Sequence, residues 1–305
     1  MSGALERTVP DLTAAPHRAT AHRSLAHVRA EPRHTAELVT QMILGEEALV
    51  LGARDPWLQV RLADGYPGWV HQGSVVRSAV DDPEEFARSL NGPPRDDPGA
   101  WVVVARGAVL REGPDSGSPQ VADLVQGARL RIEDPGRGPL AAILPDGTAG
   151  WLDREAALPA RRLGERFPRK GEALVEHAAS FLGLPYLWGG TSEKGFDCSG
   201  LVQRIYGLHG IRLPRDADPQ SRNGRPVDPG PDWGEVRPGD LAFFVEPPGD
   251  RVTHVGILAG EGRMIHASTT RNGVAWDVLP PGRATTPLGS RLAGWLSGIR
   301  RVVSD

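Results

Sequence analysis

The chain repeats itself at a fixed interval, and that periodicity limits its folds more than any other feature. Arg29, Pro32, Gly45, Leu62, Asp64, Gly65, Gly68 and Trp69 recur as Arg111, Pro114, Gly127, Leu144, Asp146, Gly147, Gly150 and Trp151, every pair 82 residues apart. So many coincidences, closing on a shared D-G-x-x-G-W, mark two copies of one structural unit. In the first copy ALVLG and WLQVRLA run into the turn DGYPG and then WVH. Alternation in WLQVRLA and the Asp-Gly turn predict a β-hairpin, with Trp69 returning toward the core. Residues 81–98 are polar and rich in Pro and Gly, the composition of a linker. Residues 1–24 read as an N-terminal extension.

Units of this pattern resemble bacterial SH3-type domains, over residues 25–80 and, less closely, 99–160, where Pro139 stands in the place of Trp57. With 38 Gly and 28 Pro, short strands and turns are favoured over a helical bundle. From Gly171 the character changes. EALVEHAASFLG carries apolar residues at helical spacing up to Gly183 and Pro185, and CSGLVQRIYGLHG predicts a second helix. LAFFV, THVGILA, RMIHAS and VAWDVL follow as strands, so residues 165–305 read as an α+β domain.

Cys198, the only cysteine, falls at the start of the second predicted helix, directly after Asp197. Unpaired backbone N–H groups and the dipole at a helix N-terminus favour thiolate over thiol, and thiolate is the nucleophile. A small buried core cysteine is the plainer alternative. Two histidines weigh against it. A hairpin centred on Gly260 sets His254 directly opposite His266, on one face of a sheet. One imidazole can then orient the other, the base-and-orienter part of a catalytic triad. Structural histidines or metal ligands are the competing readings. A zinc site needs three or four ligands, and no further His or Cys has suitable spacing.

The string YLWGGTSEKGFDCSGLV, then RPGDLAFF, HVGILAG and MIHAS, in that order, resemble the NlpC family of papain-like cysteine peptidases over residues 170–305. The expected fold is an α+β papain-like catalytic domain, helices packed on an antiparallel sheet, preceded by two small all-β SH3-like barrels. The resemblance implies Cys198 as nucleophile, His254 as general base and His266 as its orienting partner. It adds the Tyr186 hydroxyl beside the Cys198 N–H as oxyanion donor, and it implies no cofactor and no metal. The bond cleaved in such enzymes joins γ-D-glutamate to a diamino acid, diaminopimelate or lysine, in peptidoglycan stem peptides. Two SH3-type domains ahead of the peptidase resemble the dipeptidyl-peptidase VI-like enzymes that release L-Ala-γ-D-Glu from peptides with a free N-terminal L-alanine. By that resemblance Glu31, Tyr66, Ser199 and Asp216 contact substrate. For Glu31 a solvated surface acid, for Tyr66 a turn residue and for Asp216 a loop anchor stay open as alternatives. Asp197 reads as a helix cap.

The expected partners are peptidoglycan-derived peptides. A formal charge of −3 offers no basic excess for nucleic acid, and no run approaches the roughly 20 apolar residues that span a bilayer. MSGALERTVPDLTAAPHRAT holds no apolar export segment, so the expected location is the cytoplasm, with secretion only if a leader precedes this sequence. A wall-remodelling endopeptidase, a non-catalytic wall-binding module and an acyltransferase on the same scaffold remain the alternatives.

Overall fold

The computed structural model describes residues 17–82, 84–86, 99–134, 136–279 and 286–303. Most of the expected extension, residues 1–16, and residues 83 and 87–98 of the linker lie outside these.

The repeat folds twice into the same strand order. The first sheet contains β1 (His17–Ala21), β2 (Leu25–Arg29), β3 (Leu38–Ile43), β4 (Glu47–Arg54), β5 (Trp57–Leu62), β6 (Pro67–His71) and β7 (Val75–Ala79). Its order is β3-β2-β6-β5-β4-β1-β7. The second contains β8 (Ala100–Val103), β9 (Ala108–Arg111), β10 (Gln120–Leu124), β11 (Arg129–Asp134), β12 (Leu140–Ile143), β13 (Ala149–Leu152) and β14 (Ala157–Pro159), ordered β10-β9-β13-β12-β11-β8-β14. Strand for strand the two orders coincide. Among the described residues both sheets end in edge strands, so the strand pairing gives two like sheets and does not by itself close the SH3-like barrels expected from the sequence. The first sheet also starts earlier than residue 25, because β1 pairs with both β4 and β7.

The repeated residues hold equivalent posts. Gly65 and Gly147 take φ of 85° and 87°, the left-handed geometry their turns require, and Asp64 and Asp146 accept the N–H groups of Tyr66 and Thr148 at 3.0 Å. A Cβ on Gly68 would run into Val28, and one on Gly150 into Leu110. Arg29 donates to the Ala36 carbonyl at 2.6 Å and Arg111 to that of Ser118 at 3.0 Å, the same anchor in both copies. Trp69 does not return to the core: Gly68 and Val70 are the buried residues of β6, and strand alternation puts Trp69 on the other face.

The last domain begins with α1 (Gly171–Ala179) and the short hairpin β15 (Thr191–Ser192) and β16 (Gly195–Phe196). Then come α2 (Cys198–Leu208), α3 (Ala217–Gln220), β17 (Arg225–Val227), β18 (Asp240–Phe244), β19 (His254–Leu258), β20 (Arg263–Ser268), β21 (Gly273–Val278), α4 (Pro287–Trp295) and β22 (Leu296–Arg301). The antiparallel sheet runs β17-β22-β18-β19-β20-β21. Helix α2 lays Leu201, Val202, Ile205 and Tyr206 against Phe243, Val255 and Ile265 of that sheet. Each fully buried side chain of this size contributes roughly 1.5–3 kcal/mol, which fixes α2 over the strands that carry the histidines.

All three units meet around α2. The Glu46 carboxylate accepts from Arg204 at 2.9 Å, and Asp64 accepts from Gln203 at 2.8 Å, tying the first unit to α2. Ile43 and Leu44 of the first unit belong to the apolar core of the second. The second unit's Gln126 accepts from His177 of α1 at 2.7 Å.

Candidate active site

The DCSG sequence starts α2 for local reasons. Asp197 caps the helix by accepting the Gly200 N–H at 2.6 Å, as the sequence suggested. Gly200 is bare because a Cβ there would strike the Gly190 carbonyl oxygen. Arg215, 2% exposed, places its guanidinium on both oxygens of Asp197, on Ser199 Oγ at 2.9 Å and on Thr40 Oγ1 of β3 at 3.0 Å. The cap that starts the nucleophile's helix is thereby fastened to the first unit.

Cys198 is 8% exposed and opens into a cleft of about 710 Å³. The backbone N–H groups of Ser199 and of Val255, the residue next to His254, favour the Cys198 thiolate. Even so, burial and the Asp197 carboxylate push the thiol up to about 12. The helix N-terminus was expected to lower it; desolvation of the anion outweighs that. Burial and the neighbouring His266 hold the half-buried His254 well below its ordinary value, against an opposing pull from Asp277. Neither group charges readily alone. Both line the same cleft, and transfer of the thiol proton to the imidazole leaves the net charge of the site unchanged.

His254 and His266 share a face, with a register two residues from the expected one. Ile257 pairs with Ile265 and Leu258 with Met264, centring the hairpin on Glu261. The turn holds Gly260, Glu261 and Gly262 all at positive φ, and its centre lies one residue beyond Gly260. A shift of one residue would have separated the rings; the actual offset preserves the face and makes them diagonal neighbours. His254 Nε2 lies 2.6 Å from His266 Nδ1. Gly256 of the HVGI string leaves room for the arrangement, since a Cβ there would press on Met264 and His266.

Sequence reasoning missed Asp277. This buried carboxylate on β21 lies 3.0 Å from His266 Nε2, and also accepts from Arg271 at 2.8 Å and Thr286 at 2.5 Å. Burial alone would raise it, but these three donors hold it well below the usual carboxylate range. The hydrogen-bond pattern then fixes both tautomers. A carboxylate only accepts, so His266 carries its proton on Nε2 and presents Nδ1 as an acceptor. His254 must donate from Nε2, which leaves His254 Nδ1 free of a proton and able to take one.

The structure gathers Tyr186, Ser199, Asp216 and Tyr66 at the same cleft. Burial and the neighbouring sulfur and Asp197 hold the Tyr186 phenol above its ordinary value, opposed by Arg215, so it stays a donor. Tyr66 reaches from the β5–β6 turn to hydrogen-bond Asp216 at 3.3 Å. Burial raises Asp216, which Arg215 and Tyr66 oppose. Glu31 is the exception. It points to solvent, paired with Arg33 at 3.1 Å, and it does not line the cleft. The acid on the cleft wall from that part of the first unit is Glu37, which accepts the Trp188 indole N–H at 2.7 Å.

Residues 183–286 match the NlpC/P60 family, and residues 28–75 match the bacterial dipeptidyl-peptidase SH3 domain. A Bacillus cereus protein named gamma-D-glutamyl-L-lysine dipeptidyl-peptidase is 32% identical over 84% of this chain and 75% of its own length. The chain belongs to the NlpC/P60 family. A Bacillus subtilis protein of the same name is 38% identical, over 76% of this chain and 72% of that one. The crystal structure of an NlpC/P60 family protein from Bacillus cereus superposes with a TM-score of 0.76 at 27% identity, covering 94% of this chain and all of the other. As an NlpC/P60 cysteine peptidase, the chain carries the family's peptidase domain behind an SH3 domain.

One sequence signal could have exposed Asp277. Asp277 is the one acid in VAWDVL, and a charge inside an otherwise apolar strand needs a buried partner. Arg215, in the polar run PRDADPQ, carries no such signal, and nothing in the sequence names Asp197 as its partner.

Proposed function

We propose that this NlpC/P60 peptidase hydrolyses the bond between γ-D-glutamate and a diamino acid in peptidoglycan stem peptides, releasing L-Ala-γ-D-Glu from peptides with a free N-terminal L-alanine. The observation that carries the reading is the first unit's place in the cleft, where Glu37, Val39 and Tyr66 face Cys198 and Asp216. An ammonium losing its water needs anionic partners, and Asp216 and Glu37 supply them on that wall. A cleft walled there admits a peptide by its free end and rejects an interior segment of a wall strand. The Bacillus relatives' name, gamma-D-glutamyl-L-lysine dipeptidyl-peptidase, supports cleavage after γ-D-glutamate and release of a dipeptide. Soluble wall peptides as substrate fit a recycling role in the cytoplasm.

In this mechanism the Cys198 sulfur gives its proton to His254 Nδ1 and attacks the γ-carbonyl carbon. The Cys198 N–H and the Tyr186 hydroxyl take the oxyanion. His254 returns the proton to the leaving amine as the C–N bond breaks, leaving a thioester. Water, deprotonated by His254, then releases the dipeptide and the free thiol. Asp197 and Arg215 hold the helix start, and Ser199 borders the acyl part. The second unit, with the strand order of the first, serves as a second SH3-type domain that buttresses the other two.

N-acetylation of the alanine tests the reading. The free peptide L-Ala-γ-D-Glu-diamino acid is expected to be cleaved with kcat/KM at least about a hundredfold above its acetylated form, the loss of a charge-assisted contact plus a steric block. Glu37→Gln with Asp216→Asn is expected to erase most of that preference. Equal turnover of blocked and free peptides would remove the free-end specificity.

A further inference from the structure

The cleft does not stop at the catalytic pair, and its far wall carries charges the mechanism leaves unused. His254 protonates the leaving amine, so the leaving amino acid lies beyond the imidazole. Arg251, Val252 and Thr253 lead directly into β19 there, and α4 closes the wall with Leu288, Arg291, Leu292 and Trp295. This wall stands at the histidine: the Phe244 ring lies 5.7 Å from the His254 ring, and Val245 N–H donates to the Trp295 carbonyl at 2.9 Å. Leu288 and Leu292 are buried and make an apolar floor.

The charges on this wall are Arg251, Arg291 and Glu246. Arg291 lies over the Trp295 ring at 5.6 Å, which restrains its stem. Among the described residues neither arginine has a carboxylate partner, in contrast to Arg215 on Asp197 and Arg271 on Asp277. Two guanidiniums and one carboxylate over an apolar floor complement two carboxylates and one ammonium joined by methylenes. Resting on the γ-D-glutamyl peptidase reading above, we propose that this wall selects a leaving diamino acid with a second carboxylate, the 2,6-diaminopimelate type, over lysine. Once one nitrogen is in the scissile amide, diaminopimelate offers two carboxylates and one ammonium. Lysine offers a single carboxylate and one ammonium, and leaves one guanidinium unmatched.

Four peptides sharing L-Ala-γ-D-Glu and differing in leaving group test this. They end in diaminopimelate, in diaminopimelate amidated at the distal carboxyl, in lysine, and in an uncharged aminocoumarin. The diaminopimelate peptide is expected to show kcat/KM at least about fivefold above both the amidated and the lysine peptides, the scale of two solvent-accessible charge pairs. Arg251→Gln with Arg291→Gln is expected to bring these ratios close to one while leaving aminocoumarin release unchanged. Equal rates for the three charged-chain peptides, or a preference that survives the double substitution, would overturn the inference with the peptidase reading intact. Cleavage of none of the four would sink the parent reading and this one together.

Discussion

Replacing Asp277 by asparagine changes one proton, and the hydrogen bonds around it determine where that proton points. Arg271 Nη2 and Thr286 donate to one oxygen at 2.8 and 2.5 Å, against only a longer 3.4 Å contact from Arg271 Nε to the other, so the amide oxygen stays with the two close donors and the NH2 group turns to His266. His266 must then accept at Nε2 and donate from Nδ1, and His254 is driven to carry its proton on Nδ1, where it cannot receive the thiol's. Asp277→Asn is expected to lower kcat at neutral pH by at least about a hundredfold with KM little changed, the pattern of a base held in the wrong tautomer. Steady-state kinetics with a thermal-melt control checks this, and near-parental kcat in a folded variant would contradict it. At this scale the sequence was legible where chemistry is carried by rare residue types: the lone cysteine and the two strand histidines stood out. The acids were harder. Glu31 and Glu37 lie on one short connection, and only the path of the chain between β2 and β3 decides which faces the cleft.

Among elements, the glycines of the repeat report on packing. Gly68 leaves its space to Val28, so Gly68→Ala overpacks the first sheet and is expected to cost about 1–3 kcal/mol, read from urea midpoints. Gly65, in contrast, has open space around it, and its constraint is the positive φ alone. Helix α1 carries a different liability. His177 is buried between Gln126, His209 and the stacked Phe167, and burial, then His209, Arg166 and Arg106, lower it to about 3. Between pH 6.5 and about 3 the unfolded chain binds a proton that the folded chain does not, so stability falls as pH drops through that window. The full loss is of the order of 5 kcal/mol. His177→Gln is expected to flatten the pH dependence of the urea midpoint there, and an unchanged slope would exclude His177 as its source. Strand periodicity revealed most of the last sheet, yet β17, β22 and α4 escaped it. RPV is too short to show alternation, and PLGSRLAGW opens with Pro and holds two glycines that mask its helical spacing.

Across the whole molecule the three units are not beads on a string. The first unit lends Ile43 and Leu44 to the core of the second, and its Thr40, Glu46 and Asp64 bind the peptidase through Arg215, Arg204 and Gln203. A single calorimetric unfolding transition is the expected outcome, and three separate ones would contradict this coupling. Arg215→Met strips the buried Asp197 of its partner and is expected to destabilise the protein by about 3–5 kcal/mol. The repeat announced two like units from the sequence alone. No local pattern in the sequence places the first of them on the peptidase cleft, because interfaces between units follow shape. What unites residue, element and assembly is the proposed thioester on Cys198, formed from the free end of a wall peptide. Acid-quenching the enzyme during turnover of L-Ala-γ-D-Glu-diaminopimelate, followed by peptide mapping in a mass spectrometer, tests that claim most directly. The expected result is L-Ala-γ-D-Glu attached to Cys198, absent with the N-acetylated peptide. Cleavage that persists in Cys198→Ala, or an adduct on any other residue, would contradict it.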